Sequence, residues 1–208
     1  MASQGPLYPS GAFNNTEFGS FAWIVPISGA LSDDGYATVR PLSNIQTNYL
    51  LASGFFFTIP DNVTINGVVA TIEKKASSAS IWTDAVVKLV SGGVVVGTNL
   101  ASGSWSTTES VITYGSGNYT WGLSDLTRDI VNRTDFGVAL SAQNSSANIT
   151  ADVDSFTLTI YYSDAPSKSS LFGLGFINGF ANMAYSDRPS MFSEGRVSSD
   201  ALLNLSSI

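Results

Sequence analysis

Apolar and polar residues alternate with a period of two along several stretches of the chain. Val68, Ala70 and Ile72 fall on one side and Val69, Thr71 and Glu73 on the other. The pattern returns at Phe136, Val138, Leu140 and Ala142 against Gly137, Ala139 and Ser141, and at Phe156, Leu158, Ile160 and Tyr162 against Ser155, Thr157, Thr159 and Tyr161. A β-strand sends successive side chains to opposite faces, so each stretch predicts a half-buried strand whose first-named set faces the core.

Residues 49–72 form the longest such region, two apolar β-type runs hinged on Pro60-Asp61-Asn62. Residues 86–90 and 94–98 flank Ser91-Gly92-Gly93, where glycine supplies the positive φ of a tight hairpin. Residues 21–25, 36–40, 50–59 and 111–114 complete the strand candidates. Helix is expected in one turn only, residues 125–131 behind a Ser124 cap. About eight or nine strands separated by turn residues predict an all-β fold, an antiparallel β-sandwich or jelly roll.

The ends of the chain read differently. Residues 1–20, with Pro6, Pro9 and Gly11, are too irregular to fold alone and are expected to form an N-terminal arm before a sandwich domain at 21–163. Residues 164–208 begin at a polar hinge, Ser163 to Ser170 with Pro166, and read as an extended C-terminal arm. Its apolar run, 171–180, falls short of the ~20 residues that span a bilayer, and Gly173, Gly175 and Gly179 weaken any helix, so no membrane anchor is expected. Leu171, Phe172, Leu174, Phe176, Ile177, Phe180, Met183, Tyr185, Met191 and Phe192 have no core of their own, and the arm is read as a subunit interface. Folding back over its own sandwich is the alternative.

Composition narrows the chemistry. The 208 residues carry 9 Lys and Arg against 16 Asp and Glu, with no basic cluster beyond Lys74-Lys75, so a nucleic-acid partner is not expected. Cys and His are absent, which removes thiol and Ser-His-Asp nucleophiles, disulfides and the usual zinc ligand sets. No cofactor and no catalytic residue is expected. The first residues show no positive n-region followed by an apolar h-region, and folding in a cytoplasm is the corresponding expectation; the Asn-x-Ser/Thr triplets at Asn62 and Asn148 are then ordinary surface sequence.

Three groupings merit weighing for chemistry. Asp152 and Asp154 stand two apart on a strand, roughly 7 Å by strand rise, but a glycosidase pair must flank its scissile bond rather than lie side by side. Asp33-Asp34-Gly35 has oxygen ligands for calcium and is equally plain turn chemistry. Trp82, Trp105 and Trp121, with Trp23 and Tyr119, offer faces that stack on sugars, against the commoner use of aromatics in a core or interface.

The order of short blocks along the chain resembles a β-sandwich module that recurs in structural proteins of tailed bacteriophages. The resemblance runs from about Gly5 to Tyr162. It is carried by Gly5-Pro6-Leu7-Tyr8-Pro9, Leu31-Ser32-Asp33-Asp34-Gly35-Tyr36-Ala37-Thr38, Asn48-Tyr49-Leu50 leading to Gly54-Phe55 and Ile59-Pro60, and Ile65-Asn66-Gly67-Val68. Asp84 with Val87-Lys88-Leu89-Val90, Ala101-Ser102 through Trp105 to Thr108, Trp121-Gly122, Asp135 to Leu140, Val153-Asp154 and Thr159 to Tyr162 continue it. The resemblance implies a place in a virion and no catalytic residues. The expectation is a non-enzymatic capsid decoration or cement protein, a homotrimer contacting the major capsid protein or tail components. The alternative is a receptor- or glycan-binding module of a tail fibre, spike or head fibre, with Trp82, Trp105 and Trp121 as the glycan contacts.

Overall fold

A computed structural model describes residues 1–42 and 44–165. The chain forms two five-stranded antiparallel sheets packed as a sandwich. The ten strands are β1 Ala2–Leu7, β2 Gly11–Asn15, β3 Ala37–Val39, β4 Tyr49–Ser53, β5 Val63–Ala76, β6 Trp82–Ser91, β7 Val94–Val96, β8 Ser110–Ser116, β9 Gly137–Asn144 and β10 Ala151–Asp164. The first sheet runs β1-β10-β5-β8, with β3 also paired to β10, and the second runs β2-β4-β9-β6-β7.

Two long strands, β5 and β10, hold the first sheet together, paired from Ala76↔Ala151 to Val63↔Asp164. The alternation read from sequence is the alternation observed: Val68, Ala70 and Ile72 meet Phe156, Leu158 and Ile160 on the inner face. Leu50, Val87, Leu89, Val138, Leu140 and Ala142 face them from the second sheet, and one continuous apolar core results. β9 is buried on both sides, because Tyr49, Val86, Val90 and Ala139 form a second small cluster on the outer face. Phe18 stacks on Tyr49 there with ring centres 4.9 Å apart.

The hairpin between β6 and β7 turns on Gly92 and Gly93, both at positive φ, as the primed two-residue turn requires. Several other expectations are corrected. Residues 1–20 contribute β1 to one sheet and β2 to the other, because both sheets leave an edge whose backbone groups these residues satisfy. Residues 21–25 make only single bridges, Phe21↔Thr47 and Ile24↔Thr38, before Pro26 opens a 3-10 turn over Pro26–Ala30. The run at 50–59 leaves its ladder after Ser53, where Gly54 and then Phe56 adopt positive φ, although Phe55, Phe57 and Ile59 stay buried. Helix shortens to α1 Arg128–Val131, with Thr127 rather than Ser124 in the N-cap position. Asp164 and Ala165, expected in the C-terminal arm, continue the sheet: Asp164 pairs with Val63, and Ala165 N–H donates to Asn62 O.

Candidate functional site

Two polar groupings lie back to back across β5, set by the strand's own period. Ile72, Lys74 and Ala76 point inward, while Glu73 and Lys75 point outward.

On the outer side, β10 bulges between Val153 and Ser155, which gives Asp154 and Ser155 to the same face. Glu73, Glu109 and Asp154 bring carboxylate oxygens within 4.8 Å of one another. Ser32 Oγ and Ser155 Oγ donate to Glu73 Oε2 at 2.9 and 3.1 Å, and the Asp33 N–H approaches Asp154 Oδ1 at 3.4 Å. Lys75 supplies the positive charge, donating to Tyr36 OH at 2.7 Å and Glu109 Oε2 at 3.2 Å, while Tyr36 OH donates to the same Oε2 at 2.9 Å. Lys75 Nζ also lies 3.9 Å from the Tyr36 ring centre. Burial, with Glu73 and Glu109 alongside, pushes the Asp154 carboxyl up to about 6 against the backbone N–H of Asp33. Glu109 Oε1 is buried without a hydrogen-bond partner. Three clustered carboxylates are the donors a hard cation takes, and here Lys75 provides the counter-charge.

On the inner side, Lys74 from β5, Tyr114 from β8 and Asp84 from β6 meet between the sheets, all buried. Lys74 Nζ is hydrogen-bonded to Asp84 Oδ1 and donates to Tyr114 OH at 2.6 Å. Tyr114 OH donates to Asp84 Oδ2 at 2.7 Å, and Trp105 Nε1 donates to Asp84 Oδ1 at 2.8 Å. The Lys74 nitrogen is 4.8 Å from the Trp105 ring centre and 5.3 Å from that of Tyr114. Burial pushes Lys74 down, opposed by Asp84, and pushes the Tyr114 hydroxyl up.

The expected glycan contacts are corrected. Trp82, Trp105 and Trp121 are 0%, 2% and 0% exposed, and each indole N–H is taken, by Ile149 O, Asp84 and Val68 O respectively. An indole inside the sandwich presents no face to a sugar; the space between two sheets consumes large aromatics, which alternation alone assigns to neither core nor loop. Trp23 is buried as well, its Nε1 donating to Asn48 O. Asp152 accepts from Thr38 Oγ1 at 2.7 Å, and Asp154 joins the outer carboxylates. Asp33 Oδ1 accepts from the Gly35 N–H, a turn contact. The residues expected at a subunit interface, 171–192, lie outside the described residues.

Lys74, Asp84, Tyr114, Glu73 and Glu109 were not singled out from sequence as a site. The signal for Lys74 was available, since it occupies the next inward position after Val68, Ala70 and Ile72.

Apolar side chains also reach the surface together. Phe13, Ile24, Val25 and Ile27 are each more than half exposed, and the space above Gly11 is bounded by Phe13 Cζ and Ile27 Cδ1, 2.7 and 3.3 Å from where a Cβ would sit. Phe13 lies on β2, an outer strand of its sheet, Ile27 on the 3-10 turn, and Ile24 and Val25 on the segment that leads into that turn. Among the described residues no helix is long and apolar enough to cross a membrane. No family model and no curated protein matches the chain.

Proposed function

We propose that this chain is a non-catalytic structural protein of a tailed-bacteriophage particle, a homotrimeric capsid decoration or cement protein that stabilises the shell by burying surface against neighbouring subunits. The observation that carries the reading is the exposed apolar patch of Phe13, Ile24, Val25 and Ile27 on a sheet edge, in a chain whose blocks resemble virion sandwich modules. Apolar surface gathered on one face favours contact with another protein, and an edge strand offers unpaired backbone groups to the same neighbour.

The apolar residues between Leu171 and Phe192 would extend that contact as an arm along a neighbouring subunit. Its effect would come from area removed from water, at about 25 cal/mol per Å². The receptor- or glycan-binding reading loses the three indoles on which it rested, because they lie in the core.

Immunogold labelling of intact particles, with heat challenge of particles lacking the protein, tests the proposal. Gold over the head and early loss of packaged DNA from the deficient particles is the expected result. Gold confined to the tail, with heat resistance unchanged, would overturn it.

A further inference from the structure

A primary amine and a carboxyl group held together in an apolar chamber are the two reactants of an amide. Lys74 and Asp84 meet in this way: Lys74 Nζ contacts Oδ1, an oxygen bonded to Asp84 Cγ, so nitrogen and carboxyl carbon are neighbours. Trp82, Trp105 and Tyr114, all buried, wall the chamber. Lys74 is 3% exposed and Asp84 8%.

The surrounding groups match the demands of condensation. The Tyr114 hydroxyl spans the reactants, 2.6 Å from Lys74 Nζ and 2.7 Å from Asp84 Oδ2, as a proton shuttle between them must. Trp105 Nε1 donates to Oδ1 at 2.8 Å, where negative charge develops when the carboxyl carbon is attacked. The Ser102 N–H approaches Oδ2 at 3.4 Å.

We propose that Lys74 and Asp84 are joined after folding by an intramolecular isopeptide bond between Nζ and Cγ, which ties β5 of one sheet to β6 of the other. The pair enters as ammonium and carboxylate. Tyr114 accepts one proton from Nζ while passing its own to Oδ2, leaving a neutral amine beside a carboxylic acid. The amine lone pair attacks Cγ, and the carbonyl electrons move to Oδ1 under the Trp105 N–H. A second proton travels from nitrogen to Oδ2 by the same hydroxyl, the Cγ–Oδ2 bond breaks, and one water leaves as the Oδ1 carbonyl reforms. The nitrogen keeps one hydrogen, as a secondary amide does. No oxidant, metal or cofactor takes part.

Burial favours both the reactive state and the product. Taking the pair out of water pushes Lys74 down towards its neutral, nucleophilic form. Two buried charges carry a desolvation penalty of several kcal/mol per ion, which a neutral amide removes.

Intact-mass spectrometry of the full-length, denatured protein tests this directly. The expected mass is about 18 Da below that of the same polypeptide uncondensed, by loss of one water, with a tryptic map in which the peptide ending at Lys75 is joined to the peptide beginning at Ala76. The Lys74→Arg variant should regain the 18 Da, and Tyr114→Phe should slow the mass loss at least tenfold. An uncondensed mass after a day at 37 °C would overturn the proposal. So would an 18 Da loss that persists in Lys74→Arg, or maps to Asp34-Gly35, where an aspartyl residue can cyclise on its own backbone. Should Lys74→Arg fail to fold, the wild-type mass and peptide map still decide.

Discussion

Asp154 and Lys74 are both charged residues drawn into the fold, and their environments act on them in opposite ways. Lys74 gains three aromatic or acidic partners inside the sandwich. Asp154 gains two further carboxylates and one backbone N–H at 3.4 Å. Burial raises its carboxyl to about 6 from an ordinary 3.8, with Glu73 and Glu109 adding to the rise. A carboxyl with a raised folded-state pKa holds a proton in the fold that the unfolded chain has already released. Stability contributed here is therefore full below pH 3.8 and is lost as pH climbs from there through about 6. Glu73 from β5, Glu109 from the segment before β8 and the Asp33 N–H from the covering loop face the same carboxyl, while Lys75 and Tyr36 bond to Glu109. Asp154→Asn keeps an oxygen for the Asp33 N–H and removes the charge. The variant should melt higher than wild type at pH 7.5 and lose most of its advantage by pH 4.5, read by thermal unfolding across that range; a lower Tm at pH 7.5 would contradict the assignment.

Asparagine side chains do much of the joining between strands and loops. Asn132 donates to Ile59 O and accepts from Ile59 N–H, both at 2.9 Å, and so pairs with a segment that has left its ladder. Asn14 pairs in the same way with Trp23 N–H and O, and Asn99 spans the β6 bulge from Ala85 O to Val87 N–H. Each amide presents a donor and an acceptor side by side, as one strand residue does along a ladder, and can stand in for a missing strand residue. Asn132→Ala should strand both Ile59 groups, at about 1–3 kcal/mol for each. Urea denaturation would register this as a lower midpoint with an unchanged slope, and a midpoint equal to wild type would remove Asn132 from the framework. These clamps are legible only after folding, because Asn132 and Ile59 are 73 residues apart. The hairpin at Gly92-Gly93 is legible beforehand, since its requirement for positive φ is local.

At the scale of the whole molecule, the β5–β10 ladder runs to Asp164, and every residue of the core described above precedes it. Deleting residues 171–208 should leave a cooperatively unfolding protein with its Tm changed by no more than a few degrees, while incorporation into particles is lost under the proposed function. A molten or insoluble truncation would show that the segment supplies core to the sandwich. The two antiparallel sheets agree with the all-β sandwich expected from the alternation of apolar and polar residues.

Sequence by itself determined the class of the fold and the inward faces of β5, β9 and β10, because side-chain direction along a strand depends on a two-residue period and needs no partner. It also determined the Gly92-Gly93 turn and the absence of thiol and imidazole chemistry. Only the tertiary structure decided that the first fifteen residues add an outer strand to each sheet, that the tryptophans belong inside, and that Lys74 lies against Asp84 and Tyr114. The physical reason is the same in each case: an edge, an interior and a charge pair exist only where segments distant in sequence share one boundary with water.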